Sequence, residues 1–256
     1  MSDQQAANPV AAVQIQGARD YQEDSLDEKY LDGSSNHNEE RLLVLADGMG
    51  GHVGGERAST TTLSEFINSY VSGDADVRTA LRNALDHANE CMETIKDEEP
   101  EYSDMGTTLI AAAVKGSDLY WVSVGDSPMW LFRNGQLQRL NADHSMAPII
   151  EGLVEIGRLS EEEAAVDPRR HQLRSAVMGE ELSLVDLCPE PAELVSGDMV
   201  VLASDGVETL TDEELVSILN NNGNQSVVEL AQAIMNGIEE CAVENQDNAS
   251  LIIYQH

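Results

Sequence analysis

The chain has 256 residues, with 14 Lys and Arg against 47 Asp and Glu, which gives a formal net charge of −33 at pH 7. A surface this acidic repels phosphate backbones and anionic lipid headgroups, so nucleic-acid binding and membrane docking are disfavoured. Hydrophobic residues make up 41% of the chain, which is enough to build a core and argues against a disordered protein.

The cysteines and the N-terminal residues indicate a cytoplasmic protein. Cys91, Cys188 and Cys241 are odd in number and far apart, unlike a disulfide framework. The N-terminal sequence MSDQQAANPV has neither the basic nor the apolar region of a signal peptide. No stretch approaches the roughly 18 apolar residues of a transmembrane helix. We expect a flexible tail over residues 1–9 and a single, monomeric domain over residues 10–256, since no linker-like segment interrupts it.

The predicted strands are short apolar runs, mostly bounded by Gly, Asn or Asp. Asn134-Gly135 predicts a tight hairpin turn, and Lys115-Gly116-Ser117-Asp118 predicts another. In chain order, strands are predicted at Ala11–Gln16, Leu42–Ala46, Thr108–Val114, Leu119–Val124, Met129–Arg133, Met199–Ala203 and Ser250–Tyr254.

Three longer segments have the spacing of amphipathic helices: Glu56–Val71, Asp76–Lys96 and Gln225–Glu244. Thr211 followed by Glu214 is a capping-box pattern and predicts the start of a further helix. Strands in hairpins with helices in pairs between them predict an α+β fold with antiparallel sheets. They do not fit a regular βαβ alternation.

The pattern changes between Asp143 and Gly179. This segment contains Ala-Pro and Asp-Pro pairs, charged clusters and two short helical candidates, around Ile149–Gly157 and Ser160–Ala165. We interpret it as an excursion from the strand scaffold, of the kind that often carries function.

Four acids lie at the ends of predicted strands. Asp47 directly follows an apolar strand, Asp126 and Asp205 follow one after a single residue, and Asp247 comes shortly before the strand SLIIY. In an antiparallel sheet, the end of one strand lies beside the start of its neighbour. The four carboxylates can therefore converge at one edge of the sheets.

Glu23 and Asp24 follow the first strand and can join this group. Clustered carboxylates repel each other, and hard divalent cations such as Mg²⁺ or Mn²⁺ relieve that repulsion. Gly48, after Asp47, lets the backbone approach closely, so its carbonyl can also face a cation. A single Asp-Gly pair is most often only a turn. The recurrence of acids beside strands is what predicts a metal site.

A glycine-rich loop, Gly48-Met49-Gly50-Gly51-His52, leads into the first predicted helix, although such a loop alone is a weak signal. Arg19 stands just before the two acids of the first loop, and an arginine beside a carboxylate–metal cluster is suited to bidentate phosphate binding. Without that context, Arg19 would be interpreted as a surface or ion-pairing residue.

Together these segments resemble the metal-dependent serine/threonine protein phosphatases of the type 2C (PPM) family, in their short bacterial form. They occur in the family's order and spacing, from about residue 11 to residue 255. The matching segments are GARDYQED (Gly17–Asp24), LADGMGGHVGGERAS (Leu45–Ser59), MGTTLIAAAV (Met105–Val114), WVSVGDS (Trp121–Ser127), NADHSM (Asn141–Met146), LASDGV (Leu202–Val207) and QDNASLII (Gln246–Ile253).

The resemblance implies a four-layer αββα sandwich, with two antiparallel β-sheets flanked by helix pairs and a flap over about residues 145–168 beside the substrate groove. It also assigns the acids. Asp47 would bridge two cations, Mn²⁺ or Mg²⁺, and the Gly48 carbonyl would contact the second. Asp205 and Asp247 would complete the ligands of the first cation, and Asp126 with Asp205 would hold a third, weaker one.

The remaining residues of the site would assist the reaction. Glu23 and Asp24 would act mainly through metal-bound waters, and Arg19 would bind the phosphoryl group. A hydroxide bridging the two cations would attack phosphorus in line. His52 is the candidate acid for the leaving oxygen, although in the eukaryotic branch the histidine directly follows Asp-Gly, where this chain has Met49. If His52 has no such role, a water on the third cation would be the acid.

The activity that the resemblance implies is hydrolysis of phosphoserine and phosphothreonine in proteins, which reverses a cognate serine/threonine kinase. Two alternatives remain open: a regulatory phosphatase of a phosphorylated anti-sigma-antagonist protein, and a non-catalytic relative that binds a phosphoprotein. Every expected acid is present, which favours catalysis. His171 stands where the family frequently has Asn, and this departure affects flap packing rather than the metal ligands.

Overall fold

The computed structural model describes residues 8–32, 39–51, 53–221 and 225–256. Most of the predicted tail, residues 1–7, lies outside the described residues, so its flexibility stays a prediction. The described residues contain twelve strands: β1 (Val10–Ile15), β2 (Asp24–Leu31), β3 (Glu40–Met49), β4 (Gly106–Thr107), β5 (Leu109–Lys115), β6 (Asp118–Val124), β7 (Met129–Arg133), β8 (Gln136–Arg139), β9 (Asp186–Leu187), β10 (Ala192–Glu193), β11 (Met199–Ala203) and β12 (Ala249–Gln255).

The strands form two sheets in which every pair of neighbours is antiparallel. One sheet has the order β1-β12-β11-β7-β8. The other has the order β10-β6-β5-β3-β2, with β4 also paired to β3 and β9 to β6. Short hairpin turns fix the register of β5 with β6 and of β7 with β8. At the predicted turn, Asn134 and Gly135 both have positive φ, 52° and 76°, as a two-residue hairpin with the right twist requires.

Six helices are described, together with 3₁₀ turns at Pro100–Tyr102 and Asp205–Thr209. The helices are α1 (Val53–Ser72), α2 (Val77–Glu98), α3 (Ala147–Glu155), α4 (Glu161–Ala165), α5 (Asp212–Asn221) and α6 (Val227–Glu240). The predicted cap at Thr211 is present, because its hydroxyl accepts a hydrogen bond from the Glu214 amide and the Glu214 carboxylate accepts one from the Thr211 amide.

Apolar side chains pack in three layers, which is the reason for the sandwich. Leu42 and Val44 of β3 face α1 and α2, whereas Leu43, between them, faces the other sheet. On β11, Val201 packs toward α5 and α6, and Val200 packs between the sheets. Successive side chains of a strand point to opposite faces of the sheet. Because both faces of each central strand are buried, these strands are apolar throughout. The predicted αββα sandwich is confirmed.

One long strand escaped prediction. The sequence of β2, DSLDEKYL, contains four charged residues and has no apolar run. It lies at the edge of its sheet, pairs only with β3, and its side chains are mostly half-buried, so packing does not demand an apolar sequence. The missed strand matters because its first residue belongs to the site described next.

Candidate metal centre

The register of β2 and β3 places two carboxylates side by side. Asp24, the first residue of β2, lies directly opposite Asp47 of β3. The Asp47 amide donates to Thr108 Oγ1 at 3.0 Å, and the Asp47 carbonyl accepts from Thr107 Oγ1 at 2.8 Å. These bonds fix the backbone of Asp47, so the position of its carboxylate is determined by the sheet.

The second sheet brings two more carboxylates to the same end of the sandwich. Asp205 opens the 3₁₀ turn that follows β11, and Asp247 comes two residues before β12. Ser204 joins the two sheets here, because its hydroxyl donates to Asp24 Oδ2 at 2.8 Å. The strand ends of both sheets therefore meet, as the pattern of acids predicts.

Asp47 is the centre of the cluster. Its carboxyl shares hydrogen bonds with Asp24 and Asp205. Removal from water, followed by the charges of Asp24, Asp205, Asp126 and Asp247, raises the pKa of Asp47 well above its usual value. Four neighbouring carboxylates thus repel the charge of Asp47, and bound divalent cations would relieve this repulsion.

The other acids of the cluster are perturbed in the same direction. Burial raises the pKa of Asp24 to about 6, although the hydrogen bond from Ser204 opposes the shift. Burial and the charge of Asp205 raise the pKa of Asp126 to about 7. Burial and the charge of Asp247 raise the pKa of Asp205. Protonation lowers the repulsion in each case, and cation binding would lower it more strongly.

The donor set fits hard divalent cations. The converging groups offer only oxygen, and the carboxylates outnumber the cationic side chains of the cleft, so divalent cations would offset their excess charge. No three of these carboxylates, all of which belong to described segments, place one oxygen each within 4.8 Å of one another. The acids thus lie apart rather than in a single tight cage.

Gly48 lies where only glycine fits. A Cβ at this position would come within 2.2 Å of the Gly55 carbonyl oxygen and 2.5 Å of the Glu23 carbonyl oxygen. The Gly48 amide also donates to the Glu23 carbonyl at 3.2 Å. The close approach of three backbone segments explains the glycine after Asp47 and holds Glu23 against the start of α1.

Arg19 lies at the mouth of the site and contacts one of its acids. Its guanidinium Nη2 is 2.5 Å from Asp247 Oδ2, and both side chains remain about half exposed. The loop that carries Arg19 is tied to the second sheet by Asn248, whose amide nitrogen donates to the carbonyls of Gln16 and Tyr21 at 2.8 and 2.9 Å. The Asn248 side-chain oxygen accepts from the Glu23 amide at 2.8 Å.

These residues line a cleft of about 810 Å³. Its base contains Asp47, Asp126, Asp205 and Asp247, and one wall consists of residues from 171 to 183. The cleft is large enough for a phosphorylated side chain together with the backbone that carries it.

Comparison with known proteins identifies the family. A sequence model described as "Protein phosphatase 2C" matches residues 16–246, which is most of the chain. The chain belongs to the protein phosphatase 2C family. The family predicted from the seven motifs is therefore confirmed.

Curated relatives and solved structures agree with this assignment. The chain is 34% identical over 183 residues to the "Serine/threonine protein phosphatase PstP" of Mycobacterium tuberculosis, covering 70% of this chain and 34% of that protein. It thus spans about a third of the length of this relative. It is 30% identical to a "Putative protein phosphatase 2C-type" of Streptococcus pyogenes, covering 82% of this chain and 86% of that one.

Among solved structures, the Mycobacterium tuberculosis phosphatase PstP/Ppp matches with a TM-score of 0.79 at 29% identity, covering 96% of this chain and 97% of that one. The catalytic domain of PstP in complex with two manganese ions matches with a TM-score of 0.75 at 27% identity, covering 96% of each chain. The catalytic domain of that relative thus binds two manganese ions.

The structure brings together all but one of the residues that the sequence singled out. Asp47, Asp126, Asp205, Asp247, Glu23, Gly48 and Arg19 line the cleft, and Asp24 lies beside Asp47. The exception is His52, which lies outside the described residues, so its role as an acid stays a prediction.

Two residues of the site were not predicted. Asn248 positions both Arg19 and Glu23, and the only sequence signal is its place directly after Asp247. His171 lines the cleft, where it partly opposes the rise in the pKa of Asp205. We expected it only to affect flap packing. The expected flap over about 145–168 contains α3 and α4, whereas the cleft is lined by the chain that follows, from residue 171.

No helix in the described part of the chain is long and apolar enough to cross a membrane.

Proposed function

We propose that this protein hydrolyses phosphoserine and phosphothreonine in protein substrates with the help of Mn²⁺ or Mg²⁺. The observation that carries the proposal is the convergence of four aspartates on Asp47 in a cleft whose mouth carries Arg19. Bound divalent cations would activate a water molecule and neutralise charge on the phosphoryl group. The residues of the chain would hold these cations, orient the substrate and donate the proton to the leaving group.

The acids divide the work of holding the cations. Asp47 lies opposite Asp24 in the sheet and interacts with both Asp24 and Asp205, so it is suited to bridge two cations. Asp205 and Asp247 would complete one cation's protein ligands, and the Gly48 carbonyl would contact the other. Asp126 experiences the charge of Asp205, as expected for a pair that shares a third, weaker cation.

The remaining groups orient these ligands and the substrate. Glu23 and Asp24 would hold metal-bound waters, and Asn248 keeps Glu23 in place through its backbone amide. Arg19 would exchange its ion pair with Asp247 for a bidentate contact to the incoming phosphoryl group. His52 is the proposed donor of a proton to the leaving alkoxide, with a water on the third cation as the alternative.

The decisive test is phosphate release from a phosphothreonine peptide with and without Mn²⁺. Asp205→Asn should abolish Mn²⁺-dependent release, because it removes one of the carboxylate charges that would hold a cation beside Asp47. Asp118→Asn is the matched control, since Asp118 is an exposed carboxylate at the start of β6 and should leave release unchanged. Undiminished release by Asp205→Asn would contradict the metal assignment, and release without any divalent cation would contradict the mechanism.

We infer that the physiological partner is a serine/threonine kinase pathway and that the protein acts as a cytoplasmic monomer. A phosphorylated anti-sigma-antagonist protein is the alternative substrate, and comparison of phosphoproteomes with and without the protein would distinguish the two. A non-catalytic phosphoprotein binder is the remaining alternative. It predicts tight binding of the phosphopeptide without turnover at saturating Mn²⁺.

A further inference from the structure

A second group of metal-ligating side chains lies on the outer helix pair, apart from the cleft. Glu65 comes from α1, and His87 and Cys91 come from α2, four residues apart. Residues four apart lie on the same face of a helix, so the imidazole and the thiol point to one place, and Glu65 reaches it from the neighbouring helix. None of the three lines the catalytic cleft.

Three distances define the group. His87 Nε2 is 3.5 Å from Glu65 Oε2, Cys91 Sγ is 3.7 Å from His87 Nε2, and Cys91 Sγ is 4.0 Å from Glu65 Oε2. Within the described part of the chain, this is the only trio of His, Cys, Asp or Glu side chains whose ligand atoms all lie within 4.8 Å of one another.

The triangle has nearly the size of one face of a zinc tetrahedron. With zinc bonds of about 2.3 Å to sulfur and about 2.0–2.2 Å to nitrogen and oxygen, tetrahedral ligand atoms lie roughly 3.4–3.6 Å apart. The distance between His87 and Glu65 lies within this range, and the two distances from Cys91 Sγ exceed it by about 0.1 and 0.4 Å. Small torsional adjustments of three partly exposed side chains are enough to close that gap.

The chemistry of the trio also favours zinc over the cations of the cleft. One thiol, one imidazole and one carboxylate form the mixed S/N/O set that zinc accepts, whereas Mg²⁺ and Mn²⁺ prefer oxygen alone. Glu65 and Glu90 make the surroundings of Cys91 negative, and burial, followed by these two charges, raises the pKa of the Cys91 thiol. A cation would reverse this effect, and the thiol proton would pass to solvent as the sulfur binds.

We propose that Glu65, His87 and Cys91 bind one zinc ion that joins α1 to α2, with water in the fourth position. The joined helices form the outer layer over β3, the strand that carries Asp47. The site thus gives the protein a means of metal-dependent stabilisation that is independent of the catalytic cations.

Cobalt substitution tests the proposal directly, because a thiolate bound to Co²⁺ produces charge-transfer absorption in the near ultraviolet. The experiment uses the full chain, reduced, with Mn²⁺ present to occupy the catalytic cleft, which contains no cysteine. We expect the band to saturate at one Co²⁺ per chain and to disappear when Zn²⁺ is added. The proposal would be overturned if the band were absent, or if its intensity kept rising with added Co²⁺ and did not saturate.

Variants assign the ligands. Cys91→Ser should lose the band, and Glu65→Gln and His87→Gln should weaken Co²⁺ binding. Cys241→Ser is the matched control, since Cys241 is also a free thiol and is exposed, and it should retain the band. A band that survives in Cys91→Ser, or that vanishes in Cys241→Ser, would contradict the assignment.

Thermal unfolding provides a second readout that needs no chromophore. Zinc should raise the Tm of the wild type and of Cys241→Ser more than that of Cys91→Ser, because a ligand that binds only the folded state stabilises it. Zinc that enters the carboxylate cleft would raise the Tm of all three proteins equally. Only the difference in Tm shift between Cys91→Ser and the other two therefore reports on the proposed site. Equal shifts would mean that the trio is a His–Glu ion pair beside a bystander thiol.

Discussion

The replacement Gly17→Ala tests whether backbone packing around Asp247 determines activity. Gly17 has a φ of +63°, and a Cβ there would lie 2.3 Å from the Asp247 carbonyl oxygen and 2.6 Å from that of Gln246. A left-handed conformation costs a non-glycine residue about 1–2 kcal/mol, and overpacking typically adds about 1–3 kcal/mol. We therefore expect the free energy of unfolding to fall by about 2–5 kcal/mol.

Gly116→Ala separates the two contributions. Gly116 has nearly the same φ, +61°, but its Cβ would meet no atom within 4 Å. It should cost only the backbone part, about 1–2 kcal/mol, and the change in unfolded-chain entropy is the same for both variants. The difference between the two unfolding free energies, measured by urea denaturation, is then the cost of crowding Asp247.

Activity should show the same contrast. Real Cβ atoms essentially never approach another heavy atom more closely than 3.0 Å, so the Asp247 carbonyl must move by at least about 0.7 Å. Displacements near 1 Å can cost roughly 100-fold in rate, so kcat/KM of Gly17→Ala should fall by up to that factor and its Mn²⁺ requirement should rise. Gly116→Ala should match the wild type in both. If the two variants are equally stable and equally active, the inferred coupling between Gly17 and Asp247 is wrong.

Three further predictions concern the phosphate contact, an ion pair and the surface charge. Arg19→Lys should lower kcat/KM for a phosphopeptide by roughly 10-fold or more, because hydrogen bonds to charged groups contribute about 1.5–3 kcal/mol, while stability changes little; unchanged kinetics would exclude the phosphate role. Asp198 is 2% exposed and accepts hydrogen bonds from Arg133 at 2.8 and 2.5 Å. Burial opposes ionisation, but the bonds from Arg133 and Val195 outweigh it and hold the pKa of Asp198 below its usual value. The ion pair's contribution to the free energy of unfolding is complete above the unfolded pKa of about 4 and is lost as the pH falls through the folded pKa. Asp198→Asn should therefore lower the free energy of unfolding by about 1.5–3 kcal/mol at pH 7 and by progressively less in acid. A difference between the variant and the wild type in urea unfolding that does not change with pH would count against the ion pair. Finally, raising NaCl from about 0.1 M to about 1 M shortens the Debye length from about 10 Å to about 3 Å and should raise the Tm, because the net charge of −33 repels itself; a constant or falling Tm would refute this.

The regular elements were predictable wherever one periodicity dominated. Met129–Arg133 and Met199–Ala203 were predicted with the bounds that the structure gives, because both are apolar runs buried on two faces. The helix predicted at Asp76–Lys96 is α2, Val77–Glu98, with Asp76 as its N-cap. The edge strand β2 was missed, since nothing packs against it strongly enough to impose an apolar pattern.

The sequence by itself predicted which acids converge, because they lie at or near the ends of strands and antiparallel strands bring their ends together. Only the tertiary structure decided their neighbours. The opposition of Asp24 and Asp47 follows from the register of an unpredicted strand, and the bond from Ser204 to Asp24 joins residues 180 positions apart. The trio of Glu65, His87 and Cys91 depends likewise on how two helices pack. Local patterns encode periodicity and burial, whereas distances of a few ångströms between remote side chains depend on the register and packing of whole elements.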